Sequence, residues 1–128
     1  MSGDIVEFVD VMKYELGDSL KGLSIYSFID GQSIFEISFA EPDTCKLSEW
    51  ISIVNSETEH LVSNSAFASS MELMLIKLRS GYNIFLYPIM KGHIVLALSV
   101  ISDISIARIY EMFEKHIEKV KQIERLFQ

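Results

Sequence analysis

The side chains able to do chemistry in this sequence are few and scattered. Glu57 and Glu59 flank Thr58 beside His60, a grouping that would serve proton transfer if the side chains converged. Residues one or two apart on a helix do not face one another, so the segment reads as a solvated helical face. Cys45 stands next to Lys46 near an expected helix start, a setting that lowers a thiol pKa. It is the only cysteine, with neither a nearby histidine nor a resolving cysteine, so a packing or surface role is the expectation. His60, His93 and His116 are single and far apart, and no HExxH pair sets two imidazoles on one helical face to hold a metal. Nothing in the spacing of Arg79, Arg108 and Arg125 makes one of them a catalytic finger. The phosphate-cradling GxxxxGK(S/T) loop, the GxGxxG turn and the GxSxG elbow are all absent. No catalytic residue, cofactor or metal site is assigned, and a non-enzymatic protein is expected.

Composition narrows the partners. A formal net charge of −7 and an isoelectric point near 4.9 oppose binding to nucleic acid, whose phosphates need a Lys/Arg footprint. They equally oppose docking on anionic lipid. No apolar run reaches the roughly 18 residues of a membrane span. Asp4, Glu7 and Asp10 stand where a secretory leader would be basic and then apolar, so a cytoplasmic location is expected. The chain is nevertheless apolar: hydrophobic residues make up 49% of it, and mean hydropathy is +0.27. Two expectations follow, a sheet covered on both faces and apolar surface committed to self-association.

Ile5, Phe8, Val9, Met12 and Leu16 recur at helical spacing, with Asp4, Glu7, Asp10 and Lys13 opposite. This predicts a helix over 4–17, closed by Gly17. Two β-branched and aromatic runs follow, 22–29 and 33–39, the second alternating Phe35, Ile37 and Phe39 on one face. Asp30-Gly31 between them is a hairpin signal, because a type I′ turn needs positive φ at both central residues. Pro42-Asp43-Thr44 breaks the strand, and Leu47, Trp50, Ile51, Val54, Leu61 and Val62 predict a second helix over 44–63.

Strands are then predicted over 71–79, 82–90 and 93–101, joined by turns at Ser80-Gly81 and Lys91-Gly92. Their centres are almost continuously apolar, as expected when both faces of a sheet are covered. Pro88 cannot donate to a ladder and must sit at a bulge or at an unpaired amide. Asp103 or Ser105 caps a final helix with Ile106, Ile109, Tyr110, Phe113, Ile117, Val120, Ile123 and Phe127 on one stripe. Glu111–Lys115 and Glu118–Lys121 are its expected surface pairs. Without linker or repeat, residues 1–128 read as one α+β domain in the order α-β-β-α-β-β-β-α, a five-stranded antiparallel sheet with helices on both faces.

The order of elements resembles the roadblock family of dynein light-chain-like domains, which includes regulators of small GTPases. The residues that carry the likeness span the chain: Gly22 entering the first strand, Asp30-Gly31, the strand Ser70-Met71-Glu72-Leu73-Met74-Leu75, Gly81 and Gly92, the Ile94–Val100 strand and the long closing helix. Before that helix, Ile101-Ser102-Asp103-Ile104 stands where the family often has glycine or asparagine.

The resemblance implies a non-enzymatic dimer. The strand after the second helix would pair with its copy, and the second helices would pack across the seam. It also implies a Ras-like GTPase as partner. On this reading Trp50, Val54, Met71, Leu73 and Leu75 form the homodimer interface. Exposed apolar edges are aggregation templates unless paired, which favours that assembly on physical grounds. Glu57 and Glu59 are then the expected partner-binding residues, on a platform made by two adjacent second helices. Two other functions fit the size and acidity: a secretion-type chaperone holding an extended segment, and a profilin-like sensor with a small-molecule pocket beneath Tyr26, Tyr82 and Tyr87.

Overall fold

The computed structural model describes residues 3–27, 32–39, 72–101 and 103–128. Helix α1 runs Gly3–Leu16 and buries Ile5, Phe8, Val9, Met12 and Leu16, the stripe its spacing predicts. Gly17 follows at φ +57, the left-handed conformation that closes a helix. After the short turn Gly17–Ser19 come β1 (Leu20–Ser27) and β2 (Ser33–Ser38). The later strands are β3 (Met74–Lys77), β4 (Asn83–Ile89) and β5 (Ile94–Val100). Helices α2 (Ile106–Lys115) and α3 (Ile117–Leu126) complete the described elements. The strands form one antiparallel sheet in the order β2-β1-β5-β4-β3. The protein is α+β, as expected. The predicted helix at 44–63, the Asp30-Gly31 turn and Cys45 lie outside the described residues.

Register sorts the side chains. On the first face Leu23 and Ile25 of β1 stand opposite Leu98 and Leu96 of β5, which stand opposite Phe85 and Tyr87 of β4. All three helices pack there, and Phe35, Ile37 and Phe39 extend the cluster to β2. Lys13 of α1 sits 4.4 Å over the Phe39 ring. Tyr87 stacks on Phe113 of α2, with ring centroids 4.2 Å apart, and Phe113 stacks on Phe8 of α1 at 6.4 Å. The second face carries Tyr26, Ile84, Leu86, Val95 and Ala97, all buried. Beside them lie the fully buried Ser24 and Ser99. Both faces of the sheet are therefore covered, although among the described residues helices pack on the first face only.

Several details depart from expectation. The pocket beneath Tyr26, Tyr82 and Tyr87 does not form: Tyr26 and Tyr82 belong to the second-face cluster, whereas Tyr87 packs in the first. Tyr26 pairs with Val95 and Val95 with Pro88, so Tyr87 points to the opposite side. Strand β1 starts at Leu20, ahead of Gly22, because Leu20 is already aligned with Val100 of β5.

Strand β3 is shorter than the predicted 71–79, and Pro88 explains its start. The Leu78 N–H donates to the Tyr82 carbonyl at 2.9 Å. In an antiparallel ladder, bonded residues then recur every second position, so Ile76 and Met74 also face β4. The next bonding position on β4 after Leu86 is Pro88, which has no N–H, and the ladder stops at Met74.

The final helix is capped by Ser105, whose hydroxyl accepts from the Arg108 N–H at 3.2 Å. It is not continuous: His116, at φ −109 and ψ 30, separates α2 from α3. Lys115 does not pair with Glu111 as expected but crosses to Glu15 of α1 at 3.0 Å. A bond that ties two elements together displaces the local i,i+4 pair. The Glu118–Lys121 pair is present at 3.7 Å.

Candidate functional site

Among the described residues the sheet order ends in β3, which there has one partner, β4. Since Met74, Ile76 and Leu78 direct their amides and carbonyls to β4, those of Leu73, Leu75 and Lys77 point away from it. Among the described residues nothing bonds to that outer row. The side chains alternate about the same line. Leu73 and Leu75 pack against the first-face core, Met74 and Ile76 against the second-face cluster, and all four remain half-buried. Among the described residues the result is an unpaired backbone edge with apolar surface above and below it. One end is closed by a charge, Lys77, which reaches Asp103 at 3.0 Å with both side chains exposed. A lysine at a sheet edge is a common guard against unwanted pairing. Such an edge can accept another strand through main-chain hydrogen bonds, while alternate side chains supply selectivity.

Of the residues expected at a dimer interface, Leu73 and Leu75 lie on or next to β3 at this edge. Trp50, Val54 and Met71 from the same expected interface, and the partner-binding pair Glu57 and Glu59, lie outside the described residues. Met74 and Ile76 belong to the edge as well, although only one face of the strand entered the expectation. The unbroken run Leu73-Met74-Leu75-Ile76 was the signal for them.

The titratable groups form no comparable centre. Glu15 Oε1 accepts from His116 Nε2 at 2.8 Å and from Lys115 at 3.0 Å. The His116 bond, then that of Lys115, holds the Glu15 carboxyl below its usual range. Farther along the same helix pair, Lys119 of α3 donates to Glu7 of α1 at 2.7 Å. These contacts clamp α1 antiparallel to the α2–α3 segment.

A half-open cavity of about 180 Å³ beside the clamp has Leu16, Ile109 and Met112 as its floor and Glu15, Arg108 and Lys115 at its rim. Tyr87 is pushed up to about 12 by burial, then by Glu114, to which its hydroxyl donates. Tyr110 is raised by Glu72 and Glu114. These carboxylates oppose phenol ionisation and activate no nucleophile. Among the described residues no three His, Cys, Asp or Glu side chains gather to hold a metal, and no helix is long and apolar enough to cross a membrane.

Compared with known proteins, the chain matches no family model and no curated sequence. The edge of β3, unpaired among the described residues, remains the feature with the most specific physical consequence.

Proposed function

We propose that the protein is a non-catalytic scaffold that self-associates through β3 and holds a Ras-like GTPase, modulating its nucleotide cycle or location in the cytoplasm. The observation that carries this reading is the β3 edge, which has no partner strand beyond β4 among the described residues and is apolar on both sides. An isolated chain exposing it would invite uncontrolled pairing, and a second copy removes the hazard by closed twofold symmetry. The order of the described elements and the all-antiparallel β2-β1-β5-β4-β3 sheet are compatible with the resemblance to roadblock domains. That likeness is the basis for a GTPase partner. Acidity leaves a protein partner favoured over nucleic acid or anionic lipid. On the platform made by paired second helices, Glu57 and Glu59 would govern association rate.

The test has two arms. Sedimentation of the full chain at micromolar concentration should give a dimer. Leu75→Lys, which brings a charge into the seam, should give a monomer of unchanged circular dichroism. Titration against small GTPases from the same genome, in both nucleotide states, should give saturable binding that charge reversal at Glu57 and Glu59 weakens. A monomeric wild type removes the first half of the proposal, and a panel with no binder removes the second.

A further inference from the structure

We infer that Leu75 lies on the twofold axis of the dimer, facing Leu75 of the second copy. The inference rests on the self-association reading and goes beyond it by fixing the register. A twofold axis perpendicular to the sheet makes two β3 strands antiparallel and keeps each face continuous across the seam. Along β3 only the outward residues Leu73, Leu75 and Lys77 have amides and carbonyls turned away from β4, so each must face an outward residue of the other copy. This leaves a short series of registers, two residues apart for each chain pairing, with Leu73, Met74, Leu75, Ile76 or Lys77 at the axis.

Overlap and charge choose among them. Strand β3 spans Met74–Lys77, so axes at Leu75 or Ile76 give the greatest overlap. An axis at Lys77 would set two ammonium groups against each other, which is destabilising across strands. An axis at Ile76 would place Lys77 opposite Leu75 twice, bringing two cations into the centre of the first face. It would also pull Lys77 from Asp103 of its own chain, its partner at 3.0 Å. With Leu75 at the axis, leucine meets leucine on the first face, and Met74 meets Ile76 of the second copy on the other. Lys77 then lies at the end of the overlap, its stem over Leu73 and its ammonium free to keep Asp103. Apolar pairs fill both faces and no charge enters the centre.

Cysteine cross-linking on the full chain tests this, in a Cys45→Ser background. Bonded pairs in an antiparallel ladder have Cα atoms about 5.5 Å apart and non-bonded pairs about 4.5 Å, both within reach of a disulfide. Under mild oxidation Leu75→Cys should become a covalent dimer. Ile76→Cys alone should not, but mixed with Met74→Cys it should yield the mixed dimer. If Leu75→Cys fails to fold by circular dichroism, the mixed pair alone decides the register. Self-cross-linking of Ile76→Cys in place of Leu75→Cys moves the axis and overturns the inference. A chain that sediments as a dimer but forms neither cross-link associates elsewhere, which also overturns it. A chain that sediments as a monomer instead sinks the self-association reading beneath it.

Discussion

Phe113 should be the energetic hinge between the helical layer and the sheet, and a double-mutant cycle measures that directly. Its ring is fully buried. It lies 4.2 Å from Tyr87 of β4 at an interplanar angle of 14°, and 6.4 Å from Phe8 of α1 at 22°. Truncation to alanine would cost about 3–5 kcal/mol through lost burial and the cavity left behind. That is a large share of the roughly 5–15 kcal/mol that holds a domain folded. Leucine is the better probe, since it keeps most of the apolar volume and removes the stacking.

Aromatic pairs contribute about 0.5–1.5 kcal/mol beyond their burial. The closer, flatter Tyr87–Phe113 pair should sit near the top of that range and Phe8–Phe113 near the bottom. Urea unfolding of Phe113→Leu, Tyr87→Leu, Phe8→Leu and the two double variants gives both coupling energies. The Tyr87 cycle also removes the hydroxyl that donates to Glu114, so Tyr87→Phe serves as the reference that isolates the ring. A Phe8–Phe113 coupling equal to or larger than that of Tyr87–Phe113 would refute the assignment of Phe113 as the joint between α2 and the sheet.

Two further perturbations test other parts of the fold. Because hydrogen bonds from His116 and then Lys115 depress the Glu15 carboxyl, its stabilising effect is present above the ordinary carboxylate pKa of about 4.3 and is lost as pH falls through the lower folded value. Thermal unfolding should show Glu15→Gln less stable than wild type at neutral pH, with the gap closing below roughly pH 4; a gap independent of pH would contradict the ion-pair account. At the β4–β5 turn, Met90 and Lys91 both hold positive φ, 52° and 57°. A left-handed non-glycine residue costs about 1–2 kcal/mol, and asparagine tolerates that region, so Lys91→Asn should stabilise by roughly 0.5–1 kcal/mol in urea unfolding. No gain would mean that the loop releases the strain by other means.

What could be read in the sequence was whatever local periodicity dictates. The α1 stripe, the alternation of Phe35, Ile37 and Phe39, and a cap at Asp103 or Ser105 each follow from neighbours a few residues apart, and the structure chooses Ser105. That Leu73 and Leu75 share one face of a strand was legible for the same reason. What escaped needed register between distant segments. The side of the sheet that Tyr87 takes depends on how β4 aligns with β5 and β5 with β1, so a shared tyrosine pocket looked possible until pairing assigned the faces. The start of β3 is set by Pro88 on the next strand, a clue visible in the sequence but silent until the ladder is known. Lys115 chose Glu15, a hundred residues away, over Glu111 one turn away, which no helical pattern foretells.

The two edges of the sheet are built differently, and the contrast bears on function. Along β2 the apolar side chains Phe35 and Ile37 turn to the first face, while Ser33, Glu36 and Ser38 are exposed, with Ile34 as the strand's one exposed apolar residue. Ile34 apart, that edge presents polar side chains, as a guarded sheet margin does. Along β3 the apolar residues Met74, Leu75 and Ile76 run without interruption, half-buried on both faces, and only Lys77 bears a charge. A second strand laid against β2 would have to cover Ser33, Glu36 and Ser38. One laid against β3 would extend two apolar faces at once and satisfy a row of backbone groups that have no partner among the described residues. The same reasoning limits the occupant: a segment pairing with β3 must itself be apolar on alternate residues of both faces, and a polar extended peptide is a poor fit. A second β3 meets that requirement with no other chain needed. A chaperone's unfolded client would have to imitate it, which is the physical ground for preferring self-association over capture of an export segment.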